Sequence, residues 1–179
     1  MDWLRTPHGE AAIDLAGQAT GDPLAAAKLL SRLELPTAYR QAASLQAELR
    51  SKLHSRWGQS PAGWLLTRPG IEQATPPEVR NWRAARLVEL ASTRVADLGC
   101  GLGFESATFA SAGITGIAVD RDLETASVAA LNLANSGFEV RNFDVVEHVD
   151  ALHQVLAETD TVFVDPARRD TNAPKSVNG

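Results

Sequence analysis

The spacing of apolar residues divides the chain into two stretches of different period. Up to about residue 58 apolar positions recur at helical intervals, whereas from residue 94 short apolar runs alternate with helical segments. Thr6-Pro7 reads as an N-cap followed by proline at the first helical position, predicting a helix to about Gly17. Asp22-Pro23 repeats the signal, with Leu24, Leu29, Leu30 and Leu33 at helical spacing. Leu35-Pro36-Thr37 opens the longest helix, with Ala42, Leu45, Leu49 and Leu53 on one stripe. It runs to Trp57 and stops at Gly58, where a left-handed cap belongs. Residues 59–74 are punctuated by Pro and Gly and read as a linker with a short extended piece at Trp64-Leu65-Leu66. Thr75-Pro76-Pro77-Glu78 then supplies a cap, prolines and a first-turn acid for a helix to about Ala91. Strands at 94–98, 115–119, 138–142 and 160–165 alternate with helices at about 103–112, 122–136 and 149–157. That alternation predicts an α/β fold with a parallel sheet and right-handed crossovers. The polar stretch from Thr171 to Gly179 is expected to be disordered.

Composition changes this picture little. A hydrophobic share of 44% with 22% charged residues is that of a globular chain, and 179 residues suit one domain or one domain with a small extension. A net charge of -5 weighs against a protein that coats nucleic acid. The far face of the long helix carries Arg40, Arg50, Lys52, His54 and Arg56, which read as a solvated charged face in preference to an RNA-contacting one. No run approaches the ~20 apolar residues of a membrane span, so no membrane partner is expected. The start lacks the layout of a signal peptide, and the single Cys100 cannot form an internal disulfide. Together these predict a soluble, cytoplasmic protein. His8, His54, His148 and His153 show no metal-ligand spacing, and no metal is expected.

The chemistry is concentrated at the ends of the expected strands. Val95-Ala96-Asp97-Leu98-Gly99-Cys100-Gly101-Leu102-Gly103 is an apolar strand ending in an acid, followed by three alternate glycines and a helix. A nucleotide cofactor approaches the backbone closely at such a turn, where a side chain would collide with it. The next helix presents free N–H groups there. A dinucleotide turn would place glycine where Phe104 stands. The acid before the glycines instead suits a cofactor with a cationic group. Asp120 ends the second strand, where a carboxylate can accept both hydroxyls of a ribose; Asp122 is the better helix cap, which leaves Asp120 free. Asp144 and Val145 follow the third strand and could flank an adenine, although Asp144 reads equally well as a turn residue. The fourth strand ends in Asp165-Pro166-Ala167-Arg168-Arg169. There a carboxylate can orient a nucleophilic nitrogen, the proline fixes the turn, and arginine suits phosphate.

In this order the motifs resemble class I S-adenosylmethionine-dependent methyltransferases, over about Thr75 to Arg169. The resemblance implies a Rossmann-like sheet with S-adenosylmethionine as cofactor, held by Asp97, Gly99, Gly101, Gly103, Asp120, Asp144 and Val145. Asp165, Pro166 and Arg168 then lie on the catalytic, substrate-facing side. A narrower resemblance is to bacterial methyltransferases with a C-terminal THUMP-like domain, and to the cap trimethylguanosine synthases. The first rests on Gly70-Ile71-Glu72-Gln73-Ala74-Thr75 before the core and on Asp165-Pro166-Ala167-Arg168-Arg169, the second on Thr75-Pro76-Pro77-Glu78. By that likeness Gln73 and Thr75 close over the methionine end of the cofactor, and an RNA guanine nitrogen is the methyl acceptor.

Two departures qualify the likeness. Ala167-Arg168 stands where many amino-methylating relatives have a second proline and a base-stacking aromatic residue. Only 76 residues follow Gly103, and the chain holds four expected strands where the family has seven. The expected organisation is therefore a helical domain over 1–58, a linker over 59–74, a partial methyltransferase core over 75–170 and a tail over 171–179. Such a chain is either a fragment or a degenerate relative, inactive alone, and its fourth strand would leave an open edge that invites self-association. The competing reading is a non-catalytic module that binds cofactor, RNA or protein. A nicotinamide dehydrogenase fits less well, because no His, Tyr or Lys set is placed for hydride chemistry.

Overall fold

The computed structural model describes residues 2–19, 21–58 and 61–165. The expectations for the tail, and for Pro166 and Arg168, lie outside the described residues. After a short turn of 3-10 helix at Asp2–Arg5 come α1 (Pro7–Gly17), α2 (Pro23–Leu30), α3 (Thr37–Trp57), α4 (Arg68–Gln73) and α5 (Pro77–Glu89). The alternating part follows as β1 (Arg94–Leu98), α6 (Phe104–Ser111), β2 (Thr115–Asp120), α7 (Leu123–Asn132), β3 (Phe138–Asn142), α8 (Val149–Ala157) and β4 (Thr161–Val164).

Capping chemistry sets most of the helix starts. Thr6 accepts from the Gly9 N–H ahead of Pro7, and Asp22 accepts from the N–H groups of Leu24 and Ala25 ahead of Pro23. Gly58, at φ 70°, ends α3 in the left-handed conformation. Four local expectations change. The buried stripe of α3 is Ala43, Gln46, Ala47, Leu49 and Leu53, and Leu45 is exposed. The stripe turns because a polar residue is inside: the Gln46 amide donates to the Leu66 carbonyl and accepts from the Leu66 N–H, both at 2.9 Å. On α2, Ala26 and Leu30 are buried, and Leu24 faces solvent. The 59–74 stretch contains α4, whose start is capped by Thr67. Thr75 caps nothing; Pro76 occupies the N-cap position of α5 without a side-chain hydrogen bond.

The four strands are parallel, in the order β3-β2-β1-β4. The chain steps outward from β1 through β2 to β3 and then returns to the other side of β1. The carboxyl ends of β1 and β4 therefore flank the point where strand order reverses, where open α/β sheets bind ligands. β4 lies at an edge of the sheet, with Val162 and Val164 exposed. Val95, Phe109, Ala118 and Leu133 fill one face, and Ala96, Ile117, Val119 and Val155 the other. The N-terminal helices form a third cluster that includes Leu102 and Phe104, so the turn after β1 is pinned between the sheet and the helical part.

At the opposite end of the sheet Asp160 ties β1 to β4. Its carboxylate accepts from the Ser92 and Thr93 hydroxyls and from the N–H groups of Thr93 and Arg94. The Thr93 hydroxyl and amide hold its pKa below the usual carboxylate range. A depressed folded-state pKa contributes stability above the unfolded value and loses it as pH falls. Asp160→Ala should destabilise the protein by about 1 kcal/mol at neutral pH, the low end for such bonds because the group is exposed. In urea titrations the gap between wild type and variant should narrow as pH drops below about 4.

Candidate functional site

The site begins where β1 stops. Asp97 is 1% exposed, and its Oδ2 accepts a hydrogen bond from the Ser106 hydroxyl on α6. Its Oδ1 is buried with no partner among the described residues. Burial pushes the Asp97 pKa up to about 7, opposed by the Ser106 bond and reinforced by the carboxylates of Glu105, Asp165 and Asp120. Cys100, in the turn, is buried, and that burial drives its thiol pKa up, which leaves it a packing residue.

The glycine turn loops back onto β2. The N–H groups of Gly99 and Cys100 both donate to the Val119 carbonyl, at 2.8 and 2.9 Å. Gly101 is at φ 56°, and a Cβ built there would meet only open space. Gly103 is at φ 89°, and a Cβ there would come within 2.9 Å of the Leu133 side chain. Glycine at 103 thus serves packing, and glycine at 101 takes a left-handed conformation beside open space at the tip of the turn.

Asp120 forms the second wall. Asp122 caps α7 as expected, but Asp120 is not left free. Its Oδ2 accepts from the Gly101 N–H and its Oδ1 from the Asp122 N–H, each at 3.0 Å. One carboxylate therefore fixes the tip of the glycine turn and keeps lone pairs for a ligand. Asn142, at the end of β3, donates to the carbonyls of Asp120 and Arg121 and locks that wall to the next strand. Asp144 closes a turn, its Oδ1 accepting from the Val146 N–H at 2.8 Å, while half-buried Val145 packs with Phe143 over Ile117 and Val119. Both readings of Asp144 survive, because its Oδ2 has no hydrogen bond to a described residue.

On the β4 side a residue that the sequence reading passed over draws the site together. Arg83 of α5 places Nη1 2.9 Å from Glu105 Oε1, 3.3 Å from Thr75 Oγ1 and 3.3 Å from Asp165 Oδ2. Its guanidinium lies 5.1 Å from the Phe163 ring centre. Thr75 and Asp165, far apart in sequence, thus meet on one cation. Gln73 is exposed at the end of α4, and its side chain makes no hydrogen bond to a described residue. The missed signal was on α5, where Arg80 takes a core position in register with Pro77, Ala84 and Leu87. A charged residue in an apolar stripe marks buried polar structure nearby.

Four carboxylates, Asp97, Glu105, Asp120 and Asp165, therefore crowd the carboxyl ends of β1, β2 and β4. Such a site attracts a cation. For a carboxyl whose folded pKa lies above the unfolded one, the folded state binds the extra proton. Stability is then greatest at low pH and falls as pH rises from about 4 to about 7. Asp97→Asn keeps a Ser106 partner and removes the buried charge. Its melting temperature should exceed that of wild type above pH 7 and converge with it near pH 4, as calorimetric scans would read.

No family model matches the chain, and no curated protein matches it. Among solved structures it is similar to a Porphyromonas gingivalis W83 protein described as a candidate methyltransferase. The identity is 26% and the TM-score 0.66, over 89% of this chain and 40% of that one. The chain thus spans less than half the length of that protein. It is also similar to an O-methyltransferase from Bacillus cereus in complex with SAH, at 16% identity and TM-score 0.46, over 84% of this chain and 62% of that one. A third is the O-methyltransferase TomG from Streptomyces achromogenes in complex with SAM, at 16% identity and TM-score 0.42, over 75% and 55% of the two chains. The expected fold is the observed one: helices followed by a parallel four-strand sheet, matching a Rossmann-like methyltransferase fold.

Proposed function

We propose that the chain binds S-adenosylmethionine at the carboxyl ends of β1 and β2 and forms the cofactor-holding part of a methyltransferase. The observation that carries the reading is the unpartnered Oδ1 of buried Asp97, at the end of the strand that leads into the glycine turn. A buried, lone carboxylate oxygen at a nucleotide-type turn fits a cofactor that brings its own positive charge. It does not fit the pyrophosphate of a dinucleotide, which it would repel.

In this reading Asp97 faces the cationic end of the cofactor, and the turn of Gly99, Gly101 and Gly103 lies along its middle. Asp120 accepts the ribose hydroxyls with its remaining lone pairs, and Asp144 with Val145 borders the adenine. Thr75, held by Arg83, closes the methionine side, and Gln73 is assigned there by the sequence resemblance. When bound, S-adenosylmethionine supplies an electrophilic methyl group on a sulfonium sulfur. The acceptor enters past β4, where Asp165, partly exposed and steadied by Arg83, receives a hydrogen bond from the acceptor nitrogen. An RNA guanine is the acceptor class that the resemblance implies. The basic face of α3 does not add to that reading, since Arg50 pairs with Glu10, Lys52 with Glu72, and Arg56 donates to the Ile71 carbonyl.

Titration calorimetry tests the cofactor assignment. S-adenosylmethionine and S-adenosylhomocysteine should both bind and NAD should not; the reverse result overturns the assignment. Asp120→Ala should weaken binding by about 1–3 kcal/mol, the range for losing bonds to a charged acceptor. Asp165→Ala should leave cofactor affinity close to wild type, because its role is toward the acceptor. Affinity for S-adenosylmethionine should also rise with pH through about 7, as Asp97 ionises to meet the cation, and Asp97→Asn should flatten that profile.

A further inference from the structure

Across α6 from the glycine turn lies a cavity of about 360 Å³, bounded by the end of α3, the segment near Trp64, α5 and α6. Phe104, Ala107, Thr108 and Ser111 form its α6 wall, the opposite face of that helix from Ser106 and its bond to Asp97. Trp57 and Trp64 form the aromatic wall: Trp64 stacks on Phe104 at 4.8 Å between ring centres, and Trp57 meets the same ring edge-on at 5.4 Å. Among the described residues, none that bounds the cavity is acidic.

The cation in this cavity is incompletely partnered. Arg80 is 8% exposed, and its guanidinium lies 4.8 Å from the ring centres of both Trp57 and Phe104. Its Nη1 donates to the Thr75 carbonyl at 3.1 Å, and its Nε is buried with no acceptor among the described residues. Nη2 has no hydrogen bond to a described residue. The nearest useful acid, Glu105, is held by Arg83. Burial accordingly lowers the Arg80 pKa, with Glu105 and Glu78 offsetting it only through space. Arg50 shows the contrast: its guanidinium also leaves Nε unpaired, but it grips Glu10 with both terminal nitrogens. A second buried donor, Trp57 Nε1, likewise lacks an acceptor among the described residues. Buried N–H groups are almost always paired, so two orphans on residues that bound one cavity call for an acceptor that the described residues do not supply.

We propose that this cavity is a binding site for a small planar carboxylate, separate from the cofactor site. The aromatic and proline walls take the apolar ring, the carboxylate neutralises Arg80 through Nη2 and Nε, and Trp57 Nε1 donates the remaining bond after a small side-chain shift. The cavity size suits a single- or fused-ring acid. A phosphate ester would bring a second charge that one guanidinium does not match.

The ligand would lie against two tryptophans, which gives an optical readout. Benzoate and indole-3-acetate, titrated into the full chain, should quench tryptophan emission saturably. The neutral benzamide and indole-3-acetamide should bind at least about tenfold more weakly. Thr108→Phe fills the cavity from α6 without altering Arg80, since the Thr108 hydroxyl bonds only to its own helix at the Phe104 carbonyl. It should abolish the quenching while leaving the thermal melt cooperative. Arg80→Gln, if it folds, should bind acid and amide alike. Equal affinity of acids and amides for wild type, saturable quenching that survives Thr108→Phe, or no saturable quenching at millimolar acid would each overturn the proposal.

Discussion

Asp97 stands near the end of a central strand with one oxygen bound to Ser106 and the other without a partner among the described residues, and the site is built around that imbalance. A carboxylate taken out of water without full compensation is costly to a fold. Here the cost is reduced by proton uptake near neutrality and by the α6 hydroxyl, not by an arginine. Arg83 lies close by, yet its contacts go to Glu105, Asp165 and Thr75, so the buried carboxylate is left unneutralised. Among the described residues the protein thus pairs the outer acids of the site and leaves the innermost one waiting.

The fold was largely legible from the sequence because its signals are local. Thr6-Pro7, Asp22-Pro23 and Gly58 act within one helical turn, and the four apolar runs could pair only as parallel strands once helices separated them. What the sequence did not disclose depends on partners distant along the chain. The rotation of α3 that buries Gln46 follows from a backbone segment twenty residues on, at Leu66. The role of Thr75 follows from Arg80 and Arg83 on the next helix, which draw its oxygens away from capping. In the site, the acids at strand ends were readable because strand ends converge in this topology. The bond from the Gly101 amide to Asp120 was not, since it depends on how tightly the turn folds back.

The helical part and the sheet meet at the same few residues. Leu102 and Phe104, consecutive with the glycines, belong to the hydrophobic cluster of α1, α2 and α3. Asn132 at the end of α7 bonds to both backbone groups of Leu65 and to the Leu102 carbonyl, adding a polar clasp to the apolar contact. The turn that would hold a nucleotide is therefore braced from behind by the N-terminal helices, and rigid placement of backbone N–H groups is what such a turn requires.

Arg83 has a consequence of a different kind. Its Nη1 carries two hydrogens and faces three oxygens, on Thr75, Glu105 and Asp165, so the three compete for two bonds. An interaction that draws Asp165 outward releases a hydrogen to Thr75 and Glu105, which tightens the strap before α5 and the first turn of α6. Thermodynamic linkage makes the effect reciprocal: whatever orders Thr75 and Glu105 frees Asp165 by the same free energy. A ligand that engages Asp165 would thereby be felt at Thr75 and Glu105 through a shortage of hydrogen atoms on a single nitrogen.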